Sequence, residues 1–266
     1  MTENHTDRNP VVWELRLFLT AVMFYSRIPV PAWVGYSTEQ LNRSTRYFPA
    51  IGWIVGTVVA GVYAGSQVIL PNIVAVVLAL ISGVLLTGAF HEDGFADICD
   101  GFGGGVNKER TLEIMKDSRV GAYAVIGTVL LLALKITTLA ELGKAGLSII
   151  VLAIIYAAVL SRWMIVTIIF RDQYARDDLS SKVKPIAVQL TGPAMVVATV
   201  WLVPFLALGW WHPWWLVAVP IAFVVRLILA RWFRKRLGGY TGDCLGAAQQ
   251  IIELTILLTV LSIITI

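Results

Sequence analysis

Asp93, Asp97 and Asp100 follow one another at intervals of four and three residues within FHEDGFADICDGFGGG, Phe90 to Gly105. On a helix advancing about 100° per residue they fall at roughly 0°, 40° and −20°, which is one narrow face. Carboxylates held together repel, and at least one pKa rises unless a cation neutralises the group. No Lys or Arg lies within the stretch, and hard oxygen ligands of this type suit Mg²⁺ or Mn²⁺. A solvated helix end is the plainer alternative, but it leaves the shared face and the surrounding Gly94, Gly101, Gly103, Gly104 and Gly105 unexplained. Such glycines let a phosphate approach the backbone closely. Glu92 points about 100° away from Asp93 and falls outside the face. His91 reads as a packing or hydrogen-bonding residue rather than a ligand.

Two further polar stretches extend this chemistry. KERTLEIMKDSRVGAY, Lys108 to Tyr123, carries Lys116, Asp117, Ser118 and Arg119. Arg119 is suited to grip a phosphate with two hydrogen bonds and Lys116 to neutralise one. A cytoplasmic connection of a membrane protein would carry the same basic residues for topological reasons alone. RLGGYTGDCLGAAQQIIE, Arg236 to Glu253, sets Asp243 between Thr241-Gly242 and Cys244-Leu245-Gly246. Two glycine-flanked acidic sites on one membrane face suit metal-assisted transfer on a polyphosphate. The chain has no GxxxxGK[ST] and no dinucleotide-binding fingerprint, so those routes to a nucleotide have no support. Arg162, beside Ser161, lies within a hydrophobic run. Its default reading is a functional or ion-pair role, with snorkelling to the interface about 12 Å away as the alternative.

The elements that must position these residues are membrane spans. The chain is 58% hydrophobic and 14% charged, with a mean hydropathy of +0.77; a soluble domain carries about 25% charged residues. Spans are expected over Ala50–Leu70, Ile73–Phe90, Val120–Ala140, Leu147–Phe170, Val188–Leu208, Pro213–Ala230 and Ala248–Ile266, each near the length a bilayer requires. Trp13–Ile28 carries Glu14, Arg16 and Arg27 and ends at prolines, so an interfacial or re-entrant helix is expected there. The whole chain, 1–266, thus reads as one all-α, polytopic domain with about seven spans. Lys and Arg concentrate before the first span and after the second, fourth and sixth. That alternation places the N-terminus and the polar connections in the cytoplasm. The net charge of +4 is explained by this placement, so no nucleic-acid partner is implied. Cys99 and Cys244 read as free thiols, too few for a disulfide framework, and MTENHTDRNP has no secretory pattern.

HEDGFADICDG, LEIMKDSRVGA and GGYTGDCLGA, with SRIPVP at Ser26–Pro31 and YFPAIGWIVG at Tyr47–Gly56, resemble the cobalamin synthase family, the adenosylcobinamide-GDP ribazoletransferases. The likeness runs through most of the chain in the family's order. It departs at Glu92, where the family usually has an apolar residue, and at Phe95, which replaces a usual leucine. The resemblance implies an inner-membrane enzyme that transfers adenosylcobinamide phosphate from adenosylcobinamide-GDP to α-ribazole or its 5′-phosphate. GMP is released and Mg²⁺ is required. It implies Asp93, Asp97 and Asp100 as metal ligands and Arg119 as the group that stabilises the transferring phosphoryl. Asp243 is then implied to complete the metal site or to orient the ribazole 5′ oxygen. Lys116, Asp117, Ser118, Arg162, Thr241 and Gly242 become candidates for substrate contact. The lipid bilayer is a partner, and a homo-oligomer stays open. A phosphotransferase using another diphosphate-activated donor, and a cation-coupled transporter, are the competing classes. Replacing Asp93 or Asp97 by Asn is expected to abolish transfer while membrane insertion is kept; near-normal turnover of the purified variants would remove these acids from the site.

Overall fold

The computed structural model describes residues 9–175, 190–205 and 213–265. Among them the long elements are helices: α1 (Pro10–Tyr25), α2 (Thr38–Ser44), α3 (Phe48–Gln67), α4 (Asn72–Thr87), α5 (Phe90–Gly104), α6 (Lys108–Ile114), α7 (Ala122–Ala145), α8 (Leu147–Arg171), α9 (Gly192–Val200), α10 (Ala218–Leu237) and α11 (Gly242–Thr265). Five described helical stretches are long and apolar enough to cross a membrane, or six if α4 and α5 count as one broken span. This is a polytopic all-α architecture, with fewer spans among the described residues than the seven expected. The α1 helix is not one of them. The expected span Val188–Leu208 lies partly outside the described residues, and its described part holds the nine-residue α9, a turn at 201–202 and helical residues 203–205. Arg176, Lys182 and Lys184, part of the basic connection after the fourth span, also lie outside them.

The expected span Ile73–Phe90 is corrected at its end. The α4 helix stops at Thr87, Gly88 and Ala89 both take left-handed backbone conformations (φ 68° and 59°), and α5 leaves at 90° to α4. A left-handed alanine costs about 1–2 kcal/mol, so the surrounding packing must hold the bend. The acidic stretch is therefore a separate helix lying across the end of the span rather than its continuation.

The interior is built on α8, which is buried at nearly every position from Tyr156 to Ile169. Its closest neighbour is α3, through Gly52 and Gly56, spaced four apart. A Cβ at Gly52 would lie 2.6 Å from the Ala158 carbonyl oxygen, and one at Gly56 would lie 2.9 Å from Ile155 Cα. Small residues at this spacing let membrane helices pack backbone to backbone, where lipid offers no hydrophobic drive. After α8 the chain is tied back to the start of α11. Ala175 N donates to Tyr240 O at 2.8 Å and Tyr240 N to Gln173 O at 3.0 Å. Beside this bridge, Asp172 accepts from Arg226 at 2.8 Å and pairs with Arg234 at 3.3 Å. The link sets where α11, and with it Asp243, begins.

Gly52→Ala is expected to lower stability by about 1–3 kcal/mol, the usual cost of overpacking, read as a lower unfolding temperature in detergent. Gly61→Ala on the same helix, where a Cβ meets nothing within 4 Å, is expected to leave that temperature unchanged or raise it.

Candidate active site

The acidic helix is held against α11 by two glycines. A Cβ at Gly94 would stand 3.0 Å from Asp243 Cα, and one at Gly246 would stand 3.2 Å from the His91 carbonyl and 3.4 Å from Gly94 Cα. The two backbones are in contact, which brings Asp243 against α5 between the positions of Asp93 and Asp97. Two acidic sites more than a hundred residues apart in sequence therefore meet. Asp93 is exposed, and Asp97 and Asp243 are half-buried. The far end of α5 is clamped by Arg236, whose Nη2 donates to Phe102 O at 3.1 Å and to Gly105 O at 2.7 Å. Its guanidinium lies over the Phe102 ring, 5.1 Å from the centroid. These contacts satisfy carbonyls that a helix C-terminus leaves without intrahelical partners.

Asp100 departs from the three-carboxylate expectation. Its Oδ2 accepts from Gly121 N at 2.6 Å and its Oδ1 from Ala124 N at 2.8 Å. Both oxygens thus serve as a cap for the first turn of α7, whose N–H groups would otherwise lack partners. Among the described residues no three His, Cys, Asp or Glu side chains gather into a cation site by themselves. Mg²⁺ does not need such a cage, because it is commonly held by one or two carboxylates together with substrate phosphate oxygens and water. The exposed Asp93 and the half-buried Asp97 fit that mode, while each Asp100 oxygen already accepts one backbone N–H.

An open cleft of about 480 Å³ begins at Asp100 and is lined further by Arg110, Glu113, Asp117, Arg119 and Tyr123. Such a volume lies within the usual range for small-molecule sites. Arg119 Nη2 donates to Asp117 Oδ2 at 2.6 Å, and Arg119 Nε approaches Oδ1 at 3.0 Å. These bonds hold the Asp117 carboxyl down at about 2 and push the Arg119 guanidinium up. With its pKa depressed, Asp117 stays ionised at neutral pH and releases Arg119 only as pH falls through about 2. Arg119 nonetheless keeps 88% of its side chain exposed at the cleft, and Lys116 and Ser118 are exposed on the same turn. Thr241 is buried at the start of α11, where its Oγ1 accepts from Cys244 N at 3.3 Å. It is placed as a helix cap, while Gly242 beside it is exposed.

A second polar cluster lies inside the bundle, and the sequence reading found only part of it. Lys135 of α7 and Glu253 of α11 pair at 2.6 Å. Glu253 also accepts from Gln249 and stands 3.8 Å from Arg162. Gln250 donates to Glu92 Oε1 at 3.0 Å. Arg162 is only 2% exposed, donates to Ala158 O at 2.8 Å and lies over the Phe48 ring at 5.6 Å. Its head is thus interior, not snorkelled to an interface. Glu92 faces this cluster rather than the acidic face, as its angle on the helix requires. His91 Nε2, Glu92 Oε2 and Arg162 Nε are buried without hydrogen-bond partners, around a cavity of about 50 Å³. That is room for water, which buried polar groups of this kind recruit. Lys135 and Glu253 were legible as charges inside otherwise apolar runs, the signal that exposed Arg162.

Bundle and bend together define a polytopic all-α membrane protein, with its candidate site residues on α5, on the turn before α7 and at the start of α11. The chain belongs to the cobalamin-5-phosphate synthase family, whose model matches residues 17–261. It is 46% identical over 250 residues to the adenosylcobinamide-GDP ribazoletransferase of Shewanella amazonensis, covering 93% of this chain and 95% of the relative. The corresponding proteins of Shewanella frigidimarina and Vibrio cholerae are 44% and 43% identical, each over 94% of this chain and 95% of their own length. No solved structure matches the chain.

Glu253→Ala is expected to destabilise the fold by about 3–5 kcal/mol, because Lys135 is left charged and unpaired in the interior. Replacing both by methionine is expected to recover part of that loss, measured as unfolding temperature in the same detergent.

Proposed function

We propose that this chain transfers adenosylcobinamide phosphate from adenosylcobinamide-GDP to α-ribazole or α-ribazole 5′-phosphate, releasing GMP. The observation that carries the reading is the Gly94–Gly246 contact, which brings the backbone of Asp243 against the helix that carries Asp93 and Asp97. Its chemical class agrees with the relatives' printed activity. A ribose hydroxyl of the acceptor forms a bond to the phosphorus nearest the cobinamide. The bond from that phosphorus to the bridging oxygen breaks, GMP leaves with the oxygen, and the hydroxyl proton is released. The family's named product carries a 5-phosphate, so with the phosphorylated acceptor the attacking oxygen is not the ribose 5′ oxygen. The role sketched above for Asp243 therefore shifts to a different hydroxyl.

Arg119 and Lys116 neutralise the diphosphate oxygens as the bridging bond lengthens, with Asp117 holding the Arg119 guanidinium at the cleft. Asp243 accepts a hydrogen bond from the attacking hydroxyl and aligns it, which is worth most when the reacting atoms are already close. Asp100 and Arg236 hold α5 in place. Bound Mg²⁺, held by Asp93 and Asp97, would supply charge neutralisation and ease the departure of GMP. The reading includes a bacterial inner-membrane protein with its N-terminus and acidic end in the cytoplasm. It also includes seven crossings if Val188–Leu208 spans as its composition suggests, with α1 at the interface. The Lys135–Glu253 pair is internally compensated and is assigned to stability rather than to cation transport.

Purified protein in detergent, given adenosylcobinamide-GDP and α-ribazole 5′-phosphate, is expected to release GMP with Mg²⁺ and to stop when the cation is chelated. GMP release that persists in chelator overturns the metal assignment. No release under any condition overturns the reaction and favours another diphosphate-activated donor.

A further inference from the structure

SRIPVP, Ser26–Pro31, has no part in the reaction described above, and its one charged residue is Arg27. Ser26 closes α1, its N and Oγ both donating to Val22 O, at 3.1 Å and 2.6 Å. The same Oγ accepts from Ile28 N at 3.2 Å, so the backbone on either side of Arg27 is held. Arg27 N donates to Leu86 O at 2.7 Å, which ties the residue to the end of α4. Its guanidinium lies across Gly88 at the bend between α4 and α5. A Cβ at Gly88 would stand 2.8 Å from Arg27 Nη2 and 3.0 Å from Cζ. Arg27 is exposed, and among the described residues its guanidinium makes no hydrogen bond or ion pair. Other arginines near the acidic helix are committed: Arg119 to Asp117, Arg110 to Glu113, and Arg236 to the carbonyls of Phe102 and Gly105.

We infer that Arg27 binds the 5′-phosphate of the ribazole acceptor, an inference that rests on the reaction proposed above. A guanidinium laid down on backbone with its donors unused suits a phosphate, which it grips with two parallel hydrogen bonds. The reacting substrates bring phosphate to two places, the donor's diphosphate and the acceptor's 5′-phosphate. The diphosphate is assigned to Arg119 and Lys116, beyond the far end of α5, whereas Arg27 stands at its beginning. From Phe90 to Asp100 the helix rises about 15 Å, more than a diphosphate covers. From Phe90 to Gly94, where the Asp243 backbone touches α5, the rise is only about 6 Å. That is close to the reach of a ribose from a ring hydroxyl to its 5′-phosphate. An acceptor with its hydroxyl at Asp243 thus reaches Arg27 with its phosphate, while the diphosphate stays at the Arg119 end. Arg27 is then the residue that tells the phosphorylated acceptor from the unphosphorylated one. A phospholipid headgroup offers the same phosphate chemistry, and the test separates the two sources.

The test uses the full chain in lipid-free detergent. Equilibrium binding of α-ribazole 5′-phosphate and of α-ribazole is measured without donor, followed by steady-state GMP release with each. Wild type is expected to bind the phosphorylated acceptor about tenfold or more tightly than α-ribazole, the worth of one charge-assisted pair. Arg27→Gln is expected to raise Kd and KM for α-ribazole 5′-phosphate by about the same factor, while α-ribazole and the donor keep theirs. Arg27→Lys keeps the charge without the planar fork and is expected to recover part of the loss. Should the unfolding temperature show that Arg27→Gln does not fold, Arg27→Lys carries the test, with a rise confined to the phosphorylated acceptor expected. Equal wild-type affinity for both acceptors overturns the inference. So does an equal loss for both in Arg27→Gln, which makes Arg27 a support of the bend, or a raised donor KM, which moves it to the diphosphate. Loss of phosphatidylglycerol binding in Arg27→Gln with acceptor binding intact assigns the guanidinium to a lipid and also overturns it. A wild-type protein that turns over with Arg27→Gln unchanged refutes only this assignment; one that binds the acceptor but never releases GMP refutes the reaction itself.

Discussion

The contact on which the site depends is the backbone approach of α5 to α11 at Gly94 and Gly246. A Cβ at either glycine would stand within about 3.4 Å of the opposing chain, so the distance is set by the absence of side chains. In a bilayer such contacts are a principal source of helix association, because apolar side chains gain little by leaving lipid for protein. The same contact fixes two consequences at once. The backbone of Asp243 is carried to α5 at Gly94, and Phe24, Phe48 and Phe90 are left around an unfilled space beside Gly242.

The helix that makes this contact is divided by function around its axis. Asp93 faces outward, while His91 and Glu92 face the bundle and meet Gln250, Arg162 and Phe48. The interior charges link α5, α7, α8 and α11 through Lys135, Arg162, Gln250 and Glu253. Buried ions are weak contributors to net stability but costly to break one at a time. Such a network resists sliding of one helix on another, which would carry the outward acids out of register with Asp243.

Orientation of α5 is imposed from its ends. Gly88 and Ala89 turn the chain through left-handed conformations, and Arg236 closes the far end on Phe102 and Gly105. Asp100 then couples α5 to the first turn of α7, just after Arg119. An aspartate with the spacing of a ligand has become a capping group that positions the cleft. Helical periodicity alone does not separate these uses, since both place the carboxylate on the same face.

Composition and periodicity by themselves determined that the chain is all-α and built for a membrane, that Asp93, Asp97 and Asp100 share a face, and that Asp243 belongs to a second glycine-flanked acidic stretch. These follow from local rules: bilayer length, helical angle and the cost of charge in lipid. The tertiary structure decided the bend at Gly88–Ala89, the diversion of Asp100 to α7, the burial of Arg162 and its meeting with Lys135 and Glu253, and the aromatic cavity beside Gly242. Each of these rests on which helix lies against which. Lys135 and Glu253 are far apart in sequence, and Phe24, Phe48 and Phe90 belong to three different helices. A pattern within one helix reports the direction of a side chain, but the packing of backbones across glycines determines what that side chain meets.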